Sequence, residues 1–127
     1  MDYAGGIYED VRLIQEFAKK YMIVITTNNP RSLLEHKLRG FKYAENISST
    51  FSSISDFGKI VKNRNFYTQV CKELGTKPEY ILHVGDDPFY DVIEPRAVGI
   101  SALLIDRDGK DGTLHNLYDL RVMLQNH

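Results

Sequence analysis

The chain has 127 residues, a length that suits one domain of ordinary size. Hydrophobic residues make up 43% of it, charged residues 26%, and the formal net charge is −1. This composition is typical of a soluble globular domain and gives no electrostatic reason to expect binding to nucleic acid or to an acidic membrane. A single cysteine, Cys71, excludes an internal disulfide and indicates a reducing compartment such as the cytoplasm.

Helices and strands are predicted to alternate in the first half of the chain. Residues 8–20 place apolar side chains on one helical stripe, with acidic residues at the start and lysines at the end. Residues 22–27 are apolar and β-branched and predict a buried strand. The Asn-Pro pair that follows starts a helix over residues 29–39. Residues 51–54 predict a short strand, and residues 55–62 a loop.

The same alternation continues in the second half. The predicted elements are a helix from Asn63 or Asn65 to Leu74, a strand over 80–84, a helix over 90–98 that Pro95 kinks or shortens, a strand over 101–105, a polar loop over 106–112 and a helix over 114–125 with Leu117, Leu120, Val122 and Leu124 as core contacts. Alternating strands and helices predict a parallel sheet with helices on both faces.

Three carboxylates follow the predicted strand at residues 80–84. Asp86, Asp87 and Asp91 come just after its final glycine, at the edge where open α/β sheets bind ligands. Carboxylates this close raise each other's pKa unless a cation intervenes, and hard oxygen ligands in this arrangement suit Mg²⁺. The alternative is a solvated acidic turn, in which Asp87 caps the next helix and Pro88 takes its first position.

Three segments resemble motifs of the haloacid dehalogenase superfamily of aspartate-nucleophile hydrolases. IVITTNN resembles the second motif, SDFGKIVKNRNFY the third, and HVGDDPFYDVIEPRAVGISALLIDRDG the fourth together with the strand after it. The resemblance runs from about Gly6 to Gly109 and implies an α/β, Rossmann-like (haloacid dehalogenase-like) parallel sheet with helices on both faces. A response-regulator-like domain is a further alternative, although its acid pair belongs after the first strand.

The resemblance assigns roles to polar residues outside the acid cluster. Thr27 matches the phosphate-binding hydroxyl, and Asn28 is its neighbour. Counted back from Tyr67, the family's spacing places the motif lysine at Val61, one position before Lys62. A one-residue shift in the loop makes Lys62 the motif lysine, and Lys59 is the substitute. Without the resemblance, each lysine is an ordinary loop charge and the Thr27 hydroxyl bonds to local backbone.

The resemblance also assigns the three acids. Asp86 is the expected Mg²⁺ ligand, Asp87 a second ligand, and Asp91 the catalytic-site acid that supports the lysine or a metal-bound water. On the residues alone, His83 and Cys71 are expected to belong to the core rather than to the site.

One motif of the superfamily has no counterpart in the sequence. The superfamily's first motif is an apolar strand that ends in Asp-x-Asp, whose first Asp is the nucleophile and whose second is the general acid and base. Asp106-x-Asp108 follows a predicted strand, but it matches the family's final strand and loop rather than its first motif, and it is expected to be a turn with Gly109 supplying the turn geometry. Residues 1–127 are therefore expected to form a single partial core domain that lacks the nucleophile strand. Deleting a central strand leaves a gap of about twice 4.8 Å. We expect the flanking strands to close up, or a homodimer or an N-terminal half to supply a strand.

The expected function is that of a Mg²⁺-dependent phosphatase of a small phosphorylated metabolite, inactive as this chain alone because the nucleophile is missing. Dehalogenation is a second possible chemistry, although the acid cluster favours a metal and hence phosphate. The alternative from another class is a non-enzymatic homologue that binds Mg²⁺ or phosphate, or assembles through its sheet.

Overall fold

A computed structural model describes residues 9–58, 61–109 and 113–125. Within these ranges the helices and strands are α1 Leu13–Phe17, β1 Val24–Thr27, α2 Arg31–Arg39, β2 Ser49–Ser52, α3 Ser53–Phe57, α4 Arg64–Leu74, β3 Leu82–Gly85, α5 Glu94–Ala97, β4 Ser101–Leu104 and α6 Leu117–Gln125. Tighter 3₁₀ turns lie at Glu9–Arg12, Ala44–Asn46 and Pro78–Tyr80, and a wider π-helical turn at Phe89–Ile93. None of the described helices has the length and apolar character needed to cross a bilayer.

Capping residues set both bounds of α4. The side chain of Asn63 accepts a hydrogen bond from the amide of Phe66 at 3.0 Å. Gly75 ends α4 with a φ of 64°, a left-handed conformation that glycine adopts without steric cost. Helix α2 ends likewise before a glycine, Gly40. The prediction of α4 is confirmed, with Asn63 as its cap. For α2 the predicted end is confirmed, but the predicted start is wrong, because the helix begins at Arg31 with Pro30 in the cap position and no side-chain cap.

The predicted helix over residues 8–20 is wrong in form and length. A 3₁₀ turn at Glu9–Arg12 precedes the short α1. The turn carries Asp10 into the interior, where Arg107 binds it at 3.0 Å. A long-range contact therefore competes with the local helical pattern.

Helix α3 occupies residues for which the sequence predicts a strand end and a loop. Ser52 caps it by accepting a hydrogen bond from the amide of Ser55 at 3.1 Å, and Gly58 ends it at a φ of 67°. A five-residue polar helix shows no apolar periodicity, so its composition indicated a loop.

Pro95 shortens the helix after β3, as the sequence predicts. The chain first makes a π-helical turn, in which the amide of Ile93 donates to the carbonyl of Pro88 at 3.2 Å. Proline has no amide to donate and crowds the carbonyl four residues earlier, which here belongs to Asp91. The four-residue α5 follows the turn.

Helix α6 has a narrower apolar stripe than predicted. It begins at Leu117, and Leu120 is buried, but Val122 is exposed, so its prediction as a core contact is wrong. Positions 117, 120 and 124 share one helical face, whereas position 122 lies nearly opposite position 120.

The described strands form two parallel pairs. β1 pairs with β2, placing Val24 opposite Ser49, and β3 pairs with β4, placing Leu82 opposite Ser101. The predicted parallel α/β arrangement is confirmed, but β1 and β3 do not pair with each other. The expectation of a closed-up sheet is therefore wrong.

Two apolar clusters cover the two faces of the strands. The first has Phe66, Tyr67, Val70, Cys71 and Ile100 at its centre, with Phe51 of β2 packed against it. The second has Leu13, Phe17, Leu114 and Leu120 at its centre, with Ile23, Val84 and Leu103 packed against it. Successive strand residues point to opposite faces. His83 and Val84 are neighbours in β3 and therefore point to opposite faces. His83 contacts Tyr67 of the first cluster, and Val84 packs against the second, so helices cover both faces, as predicted.

We call the side of β1 away from β2, and the side of β3 away from β4, the inner edges. Among the described residues, no strand pairs with either inner edge. Leu82, an apolar residue of β3, is 40% exposed. Among the described residues, the two strand pairs are thus not joined to each other by backbone pairing.

Candidate active site

Asp91 lies at the centre of a buried hydrogen-bond network beyond the carboxyl end of β3. It is 3% exposed. Its Oδ1 accepts hydrogen bonds from Lys62 Nζ at 2.5 Å and from His83 Nε2 at 2.9 Å. Its Oδ2 accepts one from the amide of Asp87 at 3.0 Å. Both oxygens of this buried carboxylate are therefore satisfied.

Gly85 allows Asp91 to reach this position. It is the last residue of β3, and a Cβ atom there would overlap the carboxylate of Asp91. The glycine at the end of the strand is required by this close approach rather than by a turn with positive φ.

The network fixes the charge state of its acidic groups. Burial raises the pKa of Asp91, but the hydrogen bond from His83 and the charge of Lys62 together lower it by more than burial raises it. The pKa of Asp91 therefore lies well below its usual value. Burial and the neighbouring Asp91 raise the pKa of Tyr67 above its usual value. Asp91 is thus ionised and Tyr67 neutral at physiological pH.

A tight turn brings Lys62 to the network. The amide of Asn63 donates to the carbonyl of Val61 at 2.9 Å, so the chain reverses around Lys62 just before α4. Lys59, the substitute, lies outside the described residues.

The polar residues at the end of β1 connect to the lysine loop. Asn28 Oδ1 accepts a hydrogen bond from the amide of Lys62 at 2.8 Å and a longer one from Ser53 Oγ at 3.4 Å. Thr27 Oγ1 accepts one from the amide of Asn29 at 3.0 Å, which is the local backbone contact that its position suggested. The hydroxyl hydrogen of Thr27 is not used in that contact.

Asp86 and Asp87 differ in what their carboxylates contact. Asp87 Oδ1 accepts hydrogen bonds from the amides of Phe89 and Tyr90 at 2.8 and 2.9 Å, the cap predicted as an alternative. Asp86 is exposed, and its side chain makes no hydrogen bond or ion pair with the residues that the structure describes. Of the two predicted metal ligands, Asp86 is the freer.

Together these contacts link the three motif segments. Asn28, at the end of β1, holds the lysine loop; Lys62 binds Asp91. Asp91 in turn binds the backbone of Asp87, which follows β3. The carboxyl ends of β1 and β3 are therefore joined through one series of direct contacts.

Two members of the network were not predicted from the sequence. Tyr67 donates to the carbonyl of Tyr90 at 2.6 Å and lies 3.2 Å from His83 Nε2. His83 was expected to be a core residue, and it is largely buried, but it also binds the carboxylate of Asp91. A histidine and a tyrosine 16 positions apart give no local signal, because only the packing of α4 on β3 brings them together.

Comparisons with known proteins identify the fold. No protein-family model matches the sequence, and no curated protein matches it significantly. Solved structures do match. A 2-haloacid dehalogenase from Pseudomonas syringae pv. tomato superposes with a TM-score of 0.79 at 19% identity, and an HAD phosphatase from Thermococcus onnurineus with 0.79 at 26%. A predicted phosphoglycolate phosphatase from Haemophilus somnus gives 0.77 at 20%. The chain has the haloacid dehalogenase-like fold.

The haloacid dehalogenase-like domain matches these structures over most of its own length but not theirs. The dehalogenase and the Thermococcus phosphatase each match 94% of this chain, which corresponds to 54% and 58% of their own lengths. The Haemophilus protein matches 93% of this chain and 57% of its own length. The chain thus spans little more than half the length of these relatives.

Proposed function

We propose that the chain forms the phosphate- and metal-binding part of a haloacid dehalogenase-like hydrolase that acts on a small phosphorylated metabolite. The observation that carries the proposal is the series of contacts from Asn28 through Lys62 to Asp91. It gathers a cation and buried acid between the carboxyl ends of β1 and β3, where α/β sheets bind ligands. The reducing cytoplasm, which the sequence suggested, suits a domain whose cysteine is free and buried.

Each polar group has a task in this proposal. Lys62 would neutralise one oxygen of a phosphoryl group as a point charge, and Thr27 would donate its free hydroxyl hydrogen to another. Asp91 would hold the ammonium of Lys62 in position when no anion is bound. Asn28 would fix the backbone of Lys62 by accepting a hydrogen bond from its amide. The catalytic assignments of Lys62 and Asp91 and the substrate-binding assignments of Thr27 and Asn28 stay predictions.

The residues present suit Mg²⁺ bound by few protein ligands. Within the described ranges, no group of three or more His, Cys, Asp or Glu side chains could hold a metal. Mg²⁺ needs no such group, since one or two carboxylates with water and phosphate suffice. Asp86 would hold the ion, with Asp87 Oδ2 as a second ligand because Oδ1 caps the helix. Bound Mg²⁺ would act as a Lewis acid on the phosphate.

We further propose that activity requires a β-strand from another polypeptide segment between the inner edges. Backbone groups on those edges have no partner strand among the described residues, so a further strand could pair with them. A strand entering there would end beside Lys62 and could supply the attacking carboxylate that this sequence lacks. An N-terminal half or a second copy are the sources expected from the sequence.

The test is hydrolysis of p-nitrophenyl phosphate with Mg²⁺. The chain alone should show no turnover. Adding a synthetic apolar strand that ends in Asp-x-Asp should restore it, and Asp86→Asn should abolish the restored activity. Asp108→Asn, at an exposed turn, is the matched control and should retain it. Turnover that survives Asp86→Asn would contradict the metal assignment, and full turnover without the added strand would contradict the need for one.

A second candidate, an assembly module without catalysis, is favoured by one observation. An apolar groove of about 330 Å³ lies at the amino ends of β3 and β4, beside α6, lined in part by Tyr80, Leu82, Leu103, Met123 and Leu124. Tyr80 is 76% exposed, and exposed apolar surface often marks interaction sites. If the chain binds a partner strand but never hydrolyses phosphate esters in its presence, this second function is correct.

A further inference from the structure

The carboxylate of Asp91 receives two basic groups on the same oxygen. Lys62 Nζ lies 2.5 Å and His83 Nε2 2.9 Å from Oδ1. The side chains of all three residues are almost entirely buried. A carboxylate oxygen has two lone pairs and can bind both groups at once, so Asp91 keeps a basic partner on Oδ1 if either one leaves.

Donor and acceptor chemistry places a proton on His83 Nε2. Tyr67 lies 2.6 Å from the carbonyl of Tyr90, which can only accept, so the hydroxyl proton is used there. The ionised Asp91 can also only accept. The nitrogen between them, 3.2 Å from the hydroxyl and 2.9 Å from the carboxylate, must therefore be the donor. His83 binds Asp91 whether its ring is neutral or charged.

We propose that His83 is a positioning residue that takes over the charge of Asp91 when Lys62 turns from Asp91 to a bound oxyanion. The inference rests on the proposed function, because that function requires Lys62 to serve an anion. A lone buried carboxylate would hold the ammonium back. With a second basic group on the same oxygen, Lys62 can leave while Asp91 keeps a partner.

The surroundings of His83 leave Asp91 as its direct ionic partner. Tyr67 from α4 meets the ring edge-on, with ring centroids 5.2 Å apart, and is neutral. The register partner on β4 is Ala102, which carries no charge. Asp87 and Glu94 act with Asp91 in raising the pKa of Tyr67, the residue whose ring contacts His83. All three are negative, so they favour a proton on the ring once Lys62 has moved away.

The first test needs no ligand. In Lys62→Met, His83 becomes the only basic side chain on Asp91 Oδ1, and its proton affinity should rise about tenfold or more. The measurement is an NMR titration of the His83 ring in the full chain. Lys62→Arg keeps a cation and should titrate like the wild type. A His83 ring that titrates identically in the wild type and in Lys62→Met would overturn the inference.

The second test uses sulfate, an oxyanion that does not titrate across the histidine range of about pH 5 to 8. If Lys62 moves to the anion and His83 gains a proton, binding takes up a proton, so sulfate affinity should rise as the pH falls. His83→Gln keeps a donor near the position of Nε2 but cannot charge, and it should lose that dependence. An equal dependence in His83→Gln and the wild type would overturn the inference. Absence of sulfate binding at every pH would overturn the proposed function, and the titration of Lys62→Met would still decide the role of His83.

Discussion

Two carboxylates in this domain are buried to nearly the same degree but held by different kinds of partner. Asp10 is 4% exposed and Asp91 is 3% exposed. Arg107 Nη1 lies 3.0 Å from both oxygens of Asp10, and the amide of Leu117 donates to Oδ2 at 2.5 Å. At Asp91, a lysine and a histidine share one oxygen instead.

The difference separates a structural ion pair from one suited to function. Asp10 joins the first turn of the chain to the loop after β4 and to the start of α6, far apart in sequence, through a planar guanidinium that holds its geometry. Asp91 lies where the ends of β1 and β3 meet, and its lysine is a flexible point charge. Burial of a carboxylate therefore does not indicate its role; the kind of cation and the location do.

The largest effect should come from Arg107→Met. It leaves Asp10 buried without its cation, and the free energy of unfolding should fall by about 3–5 kcal/mol. Urea unfolding measures the change. Arg121→Met, which removes a half-exposed pair with Glu16 at 3.5 Å, is the control and should cost less than about 1 kcal/mol. Equal losses in the two variants would remove the distinction that we draw for Asp10.

Gly85→Ala should follow in size. The added methyl group overlaps Asp91, so the carboxylate must move and its hydrogen bonds are lost, at about 1–3 kcal/mol. Gly40→Ala is the matched control, since nothing lies within 4 Å of a Cβ there and the φ of −95° is allowed. Urea unfolding of the two variants, with NMR of the Lys62 side chain, would show whether the clash disturbs the site. Unchanged Lys62 signals in Gly85→Ala would contradict this account of the glycine.

Acid should destabilise the domain through Asp91. Its pKa is lower in the folded chain than in the unfolded one, so it contributes stability that is complete above the unfolded value of about 3.9. That contribution is lost as the pH falls from there toward the lower folded value. Unfolding free energies measured from neutral to acid pH should decline less steeply in Asp91→Asn than in the wild type. Parallel curves would show that Asp91 is not linked to folding.

The smallest effect on stability should come from Lys62→Met. Because His83 stays on Asp91 Oδ1, the buried carboxylate keeps a basic partner, and the unfolding free energy should change by about 1 kcal/mol or less. The same urea experiment as for Arg107→Met gives the comparison. A loss as large as that of Arg107→Met would mean that Lys62 is as structural as Arg107.

Sequence reasoning predicted the elements whose signals are local. Asn63 with Gly75 marked α4, and the apolar run that ends in Gly85 marked β3. The resemblance gave the fold and grouped the segments that meet at Lys62. These features need only a few neighbouring residues to be recognised.

The parts that the sequence did not predict depend on distant contacts. Asp10 leaves the expected helix because Arg107 binds it, and Val122 is exposed although it is apolar. Tyr67 and His83 join the site only because α4 packs on β3. The separation of the strands into two pairs was also hidden, because strand pairing joins residues that are far apart in the sequence.

The central claim is that the ends of β1 and β3 form one pocket for phosphate and Mg²⁺. Titrating the full chain with orthophosphate in the presence of Mg²⁺, and following backbone amides by NMR, tests it most directly. We predict that the amides of Asn28 and Asp86 shift together with a single apparent Kd, and that Lys62→Met weakens both. Independent binding curves at the two positions, or no shift at either, would contradict it.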